Sequence, residues 1–562
     1  MVRRPYLQVL RLLVLLIALL VGASLLYPSE SKPVDDPSHI DFWKKAKDPR
    51  AKATLESREI TGEARHRTTT EQTINKENRR QPKQYGAAGM KIVHLDLKGA
   101  APKLLYLEQI FSLLHTLGVH GVLMEYEDMF PFEGDLEVLK STYAYSSADI
   151  EKIQDLADRN QLEIIPLVQT FGHMEFVLKH DKYLTLREVE NYPNSLNPHL
   201  PDSLKLVKEM ISQVLDKHPA CSRIHIGADE VYYLGEGVET KQWLSEHEED
   251  RGKLFLDHVM AVSSYLTTKY PGIEVIMWDD MMRKISKETI QQTGIAQYVA
   301  PMVWFYAAQF STDSVEEILS KYLESGFRNV WFASAFKGAS GAAQDRTPIN
   351  LHLQNQLQWL KVIKSLPKFP SLHFQGLALT GWQRYDHYSA LCELLPVAIP
   401  SLVICAQTVR YGSFSTEAKT TSLQTLGFKD IDLEKNVSEG TGSFAGAEIY
   451  EMVCHIHDNL KSEITNVLQD NSDIKGWFTN YHRKYHFANP RNLERFGNKV
   501  LKVHQKWEEY LAKLRLQMEN IYFPDTVEEW MEENVNLYMD ALRVFVEDYK
   551  KIVQLHAKPK HK

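Results

Sequence analysis

The sequence predicts an α/β chain built on a (β/α)8 barrel of the TIM type, followed by a C-terminal helical region and preceded by an N-terminal membrane segment and a flexible stem. Three observations predict it. Between residues 90 and 411, eight short apolar runs alternate with amphipathic helical stretches. Beyond 445, apolar residues recur every three or four positions over long distances. At the N-terminus, an uncharged run follows a basic start.

In chain order, residues 12–27 carry no charge and follow Arg3, Arg4 and Arg11. A spanning helix needs roughly 17 to 25 residues, and 7–27 reaches that length if Arg11 snorkels. Basic residues ahead of the run favour a cytoplasmic N-terminus. The expectation for 1–28 is therefore a signal-anchor. The full chain would then be a single-pass type II membrane protein whose body faces the lumen of the Golgi or secretory pathway. Gly22, Ala23 and Ser24 keep signal cleavage open, and initiation at Met90 would instead give a soluble nuclear or cytoplasmic form. Residues 29–89 are polar and aperiodic, so they read as a flexible stem that lacks the apolar surface to offset ordering entropy.

The barrel is expected over 90–411. Its strands are read at 91–96, 121–125, 163–170, 223–227, 273–278, 302–306, 329–333 and 375–380. Helices are read between them, at 105–117, 148–159, 203–217, 254–270, 315–325 and 353–365. Ser146 and Asp149 have capping-box spacing ahead of the second helix. A polar linker is read at 412–445 and a helical domain at 446–562. In that domain Leu493, Phe496, Val500, Val503, Trp507, Tyr510, Leu514, Met518 and Ile521 form one apolar stripe. A further helix is read after Pro524, with Thr526 and Glu529 as a second capping box.

Composition excludes some functions. A formal net charge of -8 argues against a nucleic-acid partner. Cys221, Cys392, Cys405 and Cys454 show no metal or redox spacing and read as buried thiols with at most one disulfide. The oligomeric state is left open, a homodimer among the options.

In such a barrel the chemistry sits where the strands end. Strand one ends in Asp96 and Lys98, strand two in Glu125, Glu127 and Asp128, strand three in Gln169, Gly172 and His173, and strand four in Asp229 and Glu230. Strands five to eight offer Trp278 with Asp279 and Asp280, then Trp304 and Tyr306, then Trp331, then Trp382 with Gln383 and Asp386. Indoles stack on the apolar faces of sugar rings while carboxylates and amides bind hydroxyls, so this set points to a glycan. Each element alone has a structural reading: Trp residues as core, His173 as a loop cap, and Glu125, Glu127 and Asp128 as loop braces. It is the convergence of an acid pair with four strand-end tryptophans that favours a site.

The segment RIHIGADEVYYLGEG, at 223–237, closely resembles glycoside hydrolase family 20, whose signature places a His, a Gly and a small residue before an Asp-Glu pair. His225, Gly227, Ala228, Asp229 and Glu230 fill it in order. HLDLKGAAP from His94, MEYEDMFPFEG from Met124 and IPLVQTFGHMEFVLKH from Ile165 are similar to a divergent branch of that family. The resemblance implies a retaining, exo-acting β-N-acetylhexosaminidase that needs no metal or cofactor. It removes terminal N-acetylgalactosamine or N-acetylglucosamine through an oxazolinium intermediate. By the same resemblance Glu230 is the general acid and Asp229 orients the 2-acetamido group. Tyr306 hydrogen-bonds the acetamido carbonyl, Trp278, Trp304 and Trp382 wall the pocket, and His173 assists the acid. Lys98 and Glu125 join the expected substrate-binding set. Lys98 stands where the family usually places an arginine after strand one, and the Tyr-x-Asp pairing is absent because Ala308 follows Ala307.

The residues favour this mechanism independently. A retaining glycosidase with its own nucleophile holds two carboxyls about 5 to 5.5 Å apart across the sugar, which adjacent residues at one strand end do poorly. If the substrate supplies the nucleophile, both acids serve one side. An ionised Asp229 is also expected to raise the pKa of Glu230. Two rivals remain: a glycan-binding pseudoenzyme on the same barrel, and a metal-dependent hydrolase using His94, Asp96, His173 and His225. A single sequon, Asn436-Val437-Ser438, is weak support for lumenal exposure.

Overall fold

The computed structural model describes residues 85–557, 559 and 560. Eight strands close into a barrel: β1 (Met90–Asp96), β2 (Gly121–Glu125), β3 (Glu163–Leu167), β4 (Arg223–His225), β5 (Glu274–Trp278), β6 (Ala300–Trp304), β7 (Asn329–Lys337) and β8 (His373–Gly381). Each pairs in parallel with its sequence neighbours, and β8 returns to β1 through Met90–Gly376 to Val93–Leu379. Every run read as a strand contributes one. Three end earlier than the apolar pattern suggested, at Leu167, His225 and Trp304 rather than Thr170, Gly227 and Tyr306. The ladder stops at Leu167 and His225 because Gly227 and Ala228 turn to positive φ, 63° and 67°, and carry the chain out of the sheet.

Inside the barrel Ile92, Leu123, Ile165, Ile276, Met302, Trp331 and Ala378 form one packed cluster. Outside, helices such as Leu104–Thr116, Ser147–Arg159, Pro201–Asp216 and Ile349–Ser365 bury their apolar faces in a second, larger cluster. The capping box of Ser146 and Asp149 forms, with Asp149 N donating to Ser146 Oγ at 3.2 Å.

The C-terminal helical region is present, with Ala447–Leu468, Pro490–Ile521 and Leu537–Gln554 as its long members. The buried stripe of Pro490–Ile521 contains Trp507, Leu511 and Leu514 rather than Val503 and Tyr510, which are half-buried. The second capping box does not form. Helix Pro524–Met531 starts at its proline, its N-cap is Phe523 without a side-chain bond, and Thr526 is buried. Proline at the first position has no N–H to cap, so the signal for Thr526 and Glu529 lay one turn too late. The stretch read as a polar linker holds helix Thr416–Leu426 and a hairpin of Asp430–Asp432 with Val437–Glu439.

The expected type II membrane placement, with a lumenal body, is corrected. No helix among the described residues is long and apolar enough to cross a membrane, and the anchor read at 1–28 lies outside the described residues, as does most of the stem. The apolar helix Leu395–Tyr411 has 17 residues. At 1.5 Å per residue it is about 26 Å long, short of the roughly 30 Å hydrocarbon core, and its side chains from Leu395 to Thr408 are buried in protein. Asn436 gives lumenal exposure no support either. Its side-chain amide, the atom a glycan would take, donates to Thr347 O at 2.7 Å. Of the four cysteines, Cys221, Cys392 and Cys405 are buried and Cys454 is half-buried.

Candidate active site

The loop after β4 presents the acid pair in a strained turn. Ala228 and Glu230 both have positive φ, 67° and 45°, as does His173 at 50° on the loop after β3. Each such non-glycine residue costs on the order of 1 to 3 kcal/mol and persists only where neighbours over-determine it. Here Glu230 N donates to Asp280 Oδ2 at 3.1 Å and Ala228 N to Gln169 Oε1 at 3.3 Å. Gln169 Nε2 in turn donates to Asp229 Oδ1 at 3.2 Å and Glu125 Oε1 at 3.3 Å. A side chain at Gly227 would meet Gln169 Oε1 at 1.9 Å, so the amide needs a glycine beneath it. His173 Nε2 then bridges the pair, 3.2 Å from Glu230 Oε2 and 3.5 Å from Asp229 Oδ2. The Asp229 side chain is 9% exposed and that of Glu230 37%, so the first lies deep and the second faces the mouth.

Protonation of the acid pair runs opposite to expectation. Burial pushes Asp229 up to about 7, helped by Asp280, Glu125 and Glu230, while His173 opposes. Burial works against charge on His173, yet Asp229 and Glu230 outweigh it and raise the imidazole to about 10. The hydrogen bond from that imidazolium, more than any other influence, holds Glu230 below its ordinary value. The idea that an ionised Asp229 raises Glu230 is therefore corrected: a cation stands between them and favours the more exposed carboxylate's charge.

Aromatic rings wall the pocket in a continuous arc. Trp304 stacks on Tyr306 at 5.0 Å, Tyr306 meets Trp382 at 6.4 Å, and Trp382 meets Trp278 at 5.6 Å. The Tyr306 hydroxyl and the Trp278 and Trp382 indole N–H groups are buried without a hydrogen-bond partner among the described residues. Such donors are costly unless a ligand meets them. The cavity volume is about 150 Å³, below the roughly 300 to 1,000 Å³ of drug-sized ligand sites. Asp229 and Glu230 are the carboxylates that line it among the described residues.

Three expected residues sit differently. Lys98 lines the pocket, but its Nζ is 3.2 Å from Asp96, 3.5 Å from Glu125 and 3.4 Å from Glu127, and the side chain is 2% exposed. Burial alone would lower its pKa; the three carboxylates raise it well above the ordinary value. Its charge is thus balanced inside the protein by these carboxylates. Glu125 lies beneath the pocket, bonded to His94 Nε2 at 3.0 Å and to Gln169. Trp331 is no strand-end residue: β7 runs on to Lys337, leaving the indole in the barrel interior below the mouth, with the Arg223 guanidinium 5.8 Å from its ring.

The residues considered for a metal do not converge. His94 faces Glu125, Asp96 faces Lys98 and the backbone N–H of Gln383, and His225 Nδ1 accepts from Gly227 N. Among the described residues, one group has metal-ligand spacing, Glu127, Asp128 and His387. Lysines already serve it: Lys98 stands 3.4 Å from Glu127 and Lys179 Nζ 2.7 Å from His387 Nε2. Asp128 also accepts from Gly99 N at 3.1 Å, so these acids brace loops.

Arg384, Tyr385, Gly338 and Ala339 line the pocket but escaped selection from the sequence, while Asp280, read there only as a strand-end acid, holds the Glu230 backbone. For Gly338 and Ala339 a signal existed, because the apolar run of strand seven continues to Lys337. For Arg384 it did not, since a basic residue two positions past an indole carries no pattern.

A family model for the glycosyl hydrolase family 20 catalytic domain matches residues 122–332. Hexosaminidase D of Homo sapiens is 44% identical over 463 residues, covering 82% of this chain and 95% of that protein. Hexosaminidase D of Bos taurus is 50% identical over 343 residues, 61% of this chain and 98% of that protein. A solved β-N-acetylhexosaminidase from Bacteroides fragilis NCTC 9343 aligns at TM-score 0.45 and 13% identity over 61% of this chain and 70% of its own, a likeness too distant to support inference.

Proposed function

We propose, from the premise that this chain belongs to glycosyl hydrolase family 20, that Glu230 and Asp229 cleave terminal N-acetylhexosaminides by substrate-assisted catalysis. The chain is a glycoside hydrolase of the β-N-acetylhexosaminidase type. One observation supports the mechanism most: both pocket carboxylates stand on one side, bridged by a single imidazole nitrogen. No further carboxylate lines the pocket among the described residues, which favours the substrate's own amide as the nucleophile.

In this reading Glu230 gives its proton to the glycosidic oxygen as the C1–O bond breaks. The acetamido carbonyl oxygen attacks C1 and closes an oxazolinium ring. Asp229 accepts from the amide N–H and stabilises the positive charge that spreads onto nitrogen. Tyr306, Trp278 and Trp382 offer their unpartnered donors to the carbonyl and ring oxygens. Water, deprotonated by Glu230, then opens the ring at C1 with overall retention. The experiment is to compare turnover of chromogenic β-N-acetylhexosaminides with that of the matching 2-hydroxy sugars. Loss of the acetamido group is expected to abolish measurable turnover. Equal rates would discard substrate assistance, and no turnover of either would leave the pseudoenzyme reading.

The bridging imidazole sets the pH dependence. Catalysis needs Glu230 protonated and Asp229 ionised, the reverse of the order in which burial and the His173 imidazolium hold them. The value of kcat/KM is therefore expected to fall as pH rises through the Asp229 value of about 7 and to fall again below the depressed Glu230 value. Replacing His173 with Gln removes the cation, raises the values of both carboxyls and moves both limbs to higher pH. A pH–rate profile of H173Q whose alkaline limb stays in place or moves down would refute this arrangement.

A further inference from the structure

We propose that Arg384 grips a hydroxyl of the terminal sugar, and that Glu529 of the C-terminal helical region is the positioning residue that presents it. The proposal rests on the reading of the pocket as a sugar site. Arg384 follows Trp382 by two residues at the end of β8, lines the pocket and is 8% exposed. Its guanidinium has five N–H donors. Nε donates to Lys98 O at 3.0 Å, and Nη1 to Ser389 O at 2.8 Å and to Glu529 Oε1. Nη2 donates to Glu529 Oε2 at 2.6 Å. Four donors are thereby used, and one hydrogen on Nη2 is left for a ligand.

The surroundings reserve space for this group. Gly99, with φ at 62°, would place a Cβ 3.3 Å from Nη2, so a larger residue there would crowd the guanidinium. Lys98, the neighbouring cation, is caged by three carboxylates. His173 serves the acid pair. Arg384 is, among the described residues, the pocket cation held by a bidentate carboxylate with a donor left over, and it reaches the pocket from β8 rather than β1.

Glu529 fixes where that donor points. A bidentate carboxylate locks a planar guanidinium against rotation, which a single contact does not. The helical region is anchored nearby by independent contacts. Lys103 N donates to Ile521 O at 2.6 Å, Leu395 N to the Tyr522 hydroxyl at 3.1 Å, and Phe523 stacks on Tyr143 at 5.6 Å. The segment from Ile521 to Glu529 thus clasps the loops that follow β1 and β8. Glu529, which has no capping role, spends its carboxylate on the pocket arginine 145 residues away.

The test uses the full chain, a nitrophenyl N-acetyl-β-glucosaminide and its 3-, 4- and 6-deoxy forms. Wild-type kcat/KM is expected to fall about tenfold or more on loss of one particular hydroxyl, the range for a hydrogen bond to a charged group. R384Q should lose a similar factor on the parent sugar and be indifferent to that hydroxyl. E529Q should raise KM several-fold more than it lowers kcat, flatten the same deoxy penalty and melt near the wild-type temperature. E529D should recover part of the loss. Unchanged deoxy penalties in R384Q, or wild-type KM in E529Q, overturn the proposal. Should R384Q not fold, the deoxy series on E529Q decides. Should the wild type prefer the galactosaminide, its deoxy series is used instead, and failure to turn over either epimer overturns the underlying reading.

Discussion

Glu230→Gln is expected to lower kcat/KM for an N-acetylhexosaminide with an alkyl or sugar aglycone by about 100- to 10,000-fold, the usual contribution of a positioned general acid. The substitution keeps the size of the side chain and its reach to the His173 imidazole, so the pocket is retained while the transferable proton is lost. The loss must depend on the leaving group. A nitrophenolate departs without much protonation, so E230Q should retain far more activity on a nitrophenyl glycoside than on a methyl glycoside. Measuring kcat/KM of both enzymes on both aglycones checks this. Equal losses on the two aglycones would make Glu230 something other than the proton donor, and full retention on both would remove it from the chemistry.

Asp229→Asn is expected to be nearly as severe, about 100- to 1,000-fold in kcat, as found when one group aimed at developing charge is removed. The cause differs. Asparagine cannot carry the negative charge that faces the oxazolinium nitrogen, and its amide can turn a donor towards the substrate N–H. The loss should therefore be insensitive to the aglycone, unlike that of E230Q, and should fall on kcat more than on KM. Asp229 is pushed up to about 7 by burial, so the wild type must also hold it ionised, which the His173 imidazolium favours. A D229N enzyme whose loss tracks leaving-group ability would show that the two acids had been assigned in the wrong order.

Much of the site was legible in the sequence because its parts are local. Asp229 and Glu230 are adjacent, and the turn that presents them is written in Gly227 and Ala228 beside them. Trp278, Trp304, Tyr306 and Trp382 each close an apolar run, and a run that ends at a polar loop ends at the mouth of such a barrel. All four line the pocket. Trp331 broke the rule because its run continued six residues further, to Lys337. The depth of a side chain depends on where its strand stops, and a shortened reading of β7 lifted a core indole to the rim.

What the sequence by itself determined is the architecture and the place of the acid pair: eight alternating units close a barrel, and an acid pair ends the fourth strand. These follow from periodicity and from neighbours in the chain. Only the tertiary structure decided which charges are spent on one another. It caged Lys98 among Asp96, Glu125 and Glu127, set His173 between the two acids so that Glu230 is lowered and Asp229 raised, and brought Glu529 to Arg384. The physical reason is that a charge's fate depends on burial and on partners within a few ångströms, and those partners come from different strands and from a helix beyond the barrel.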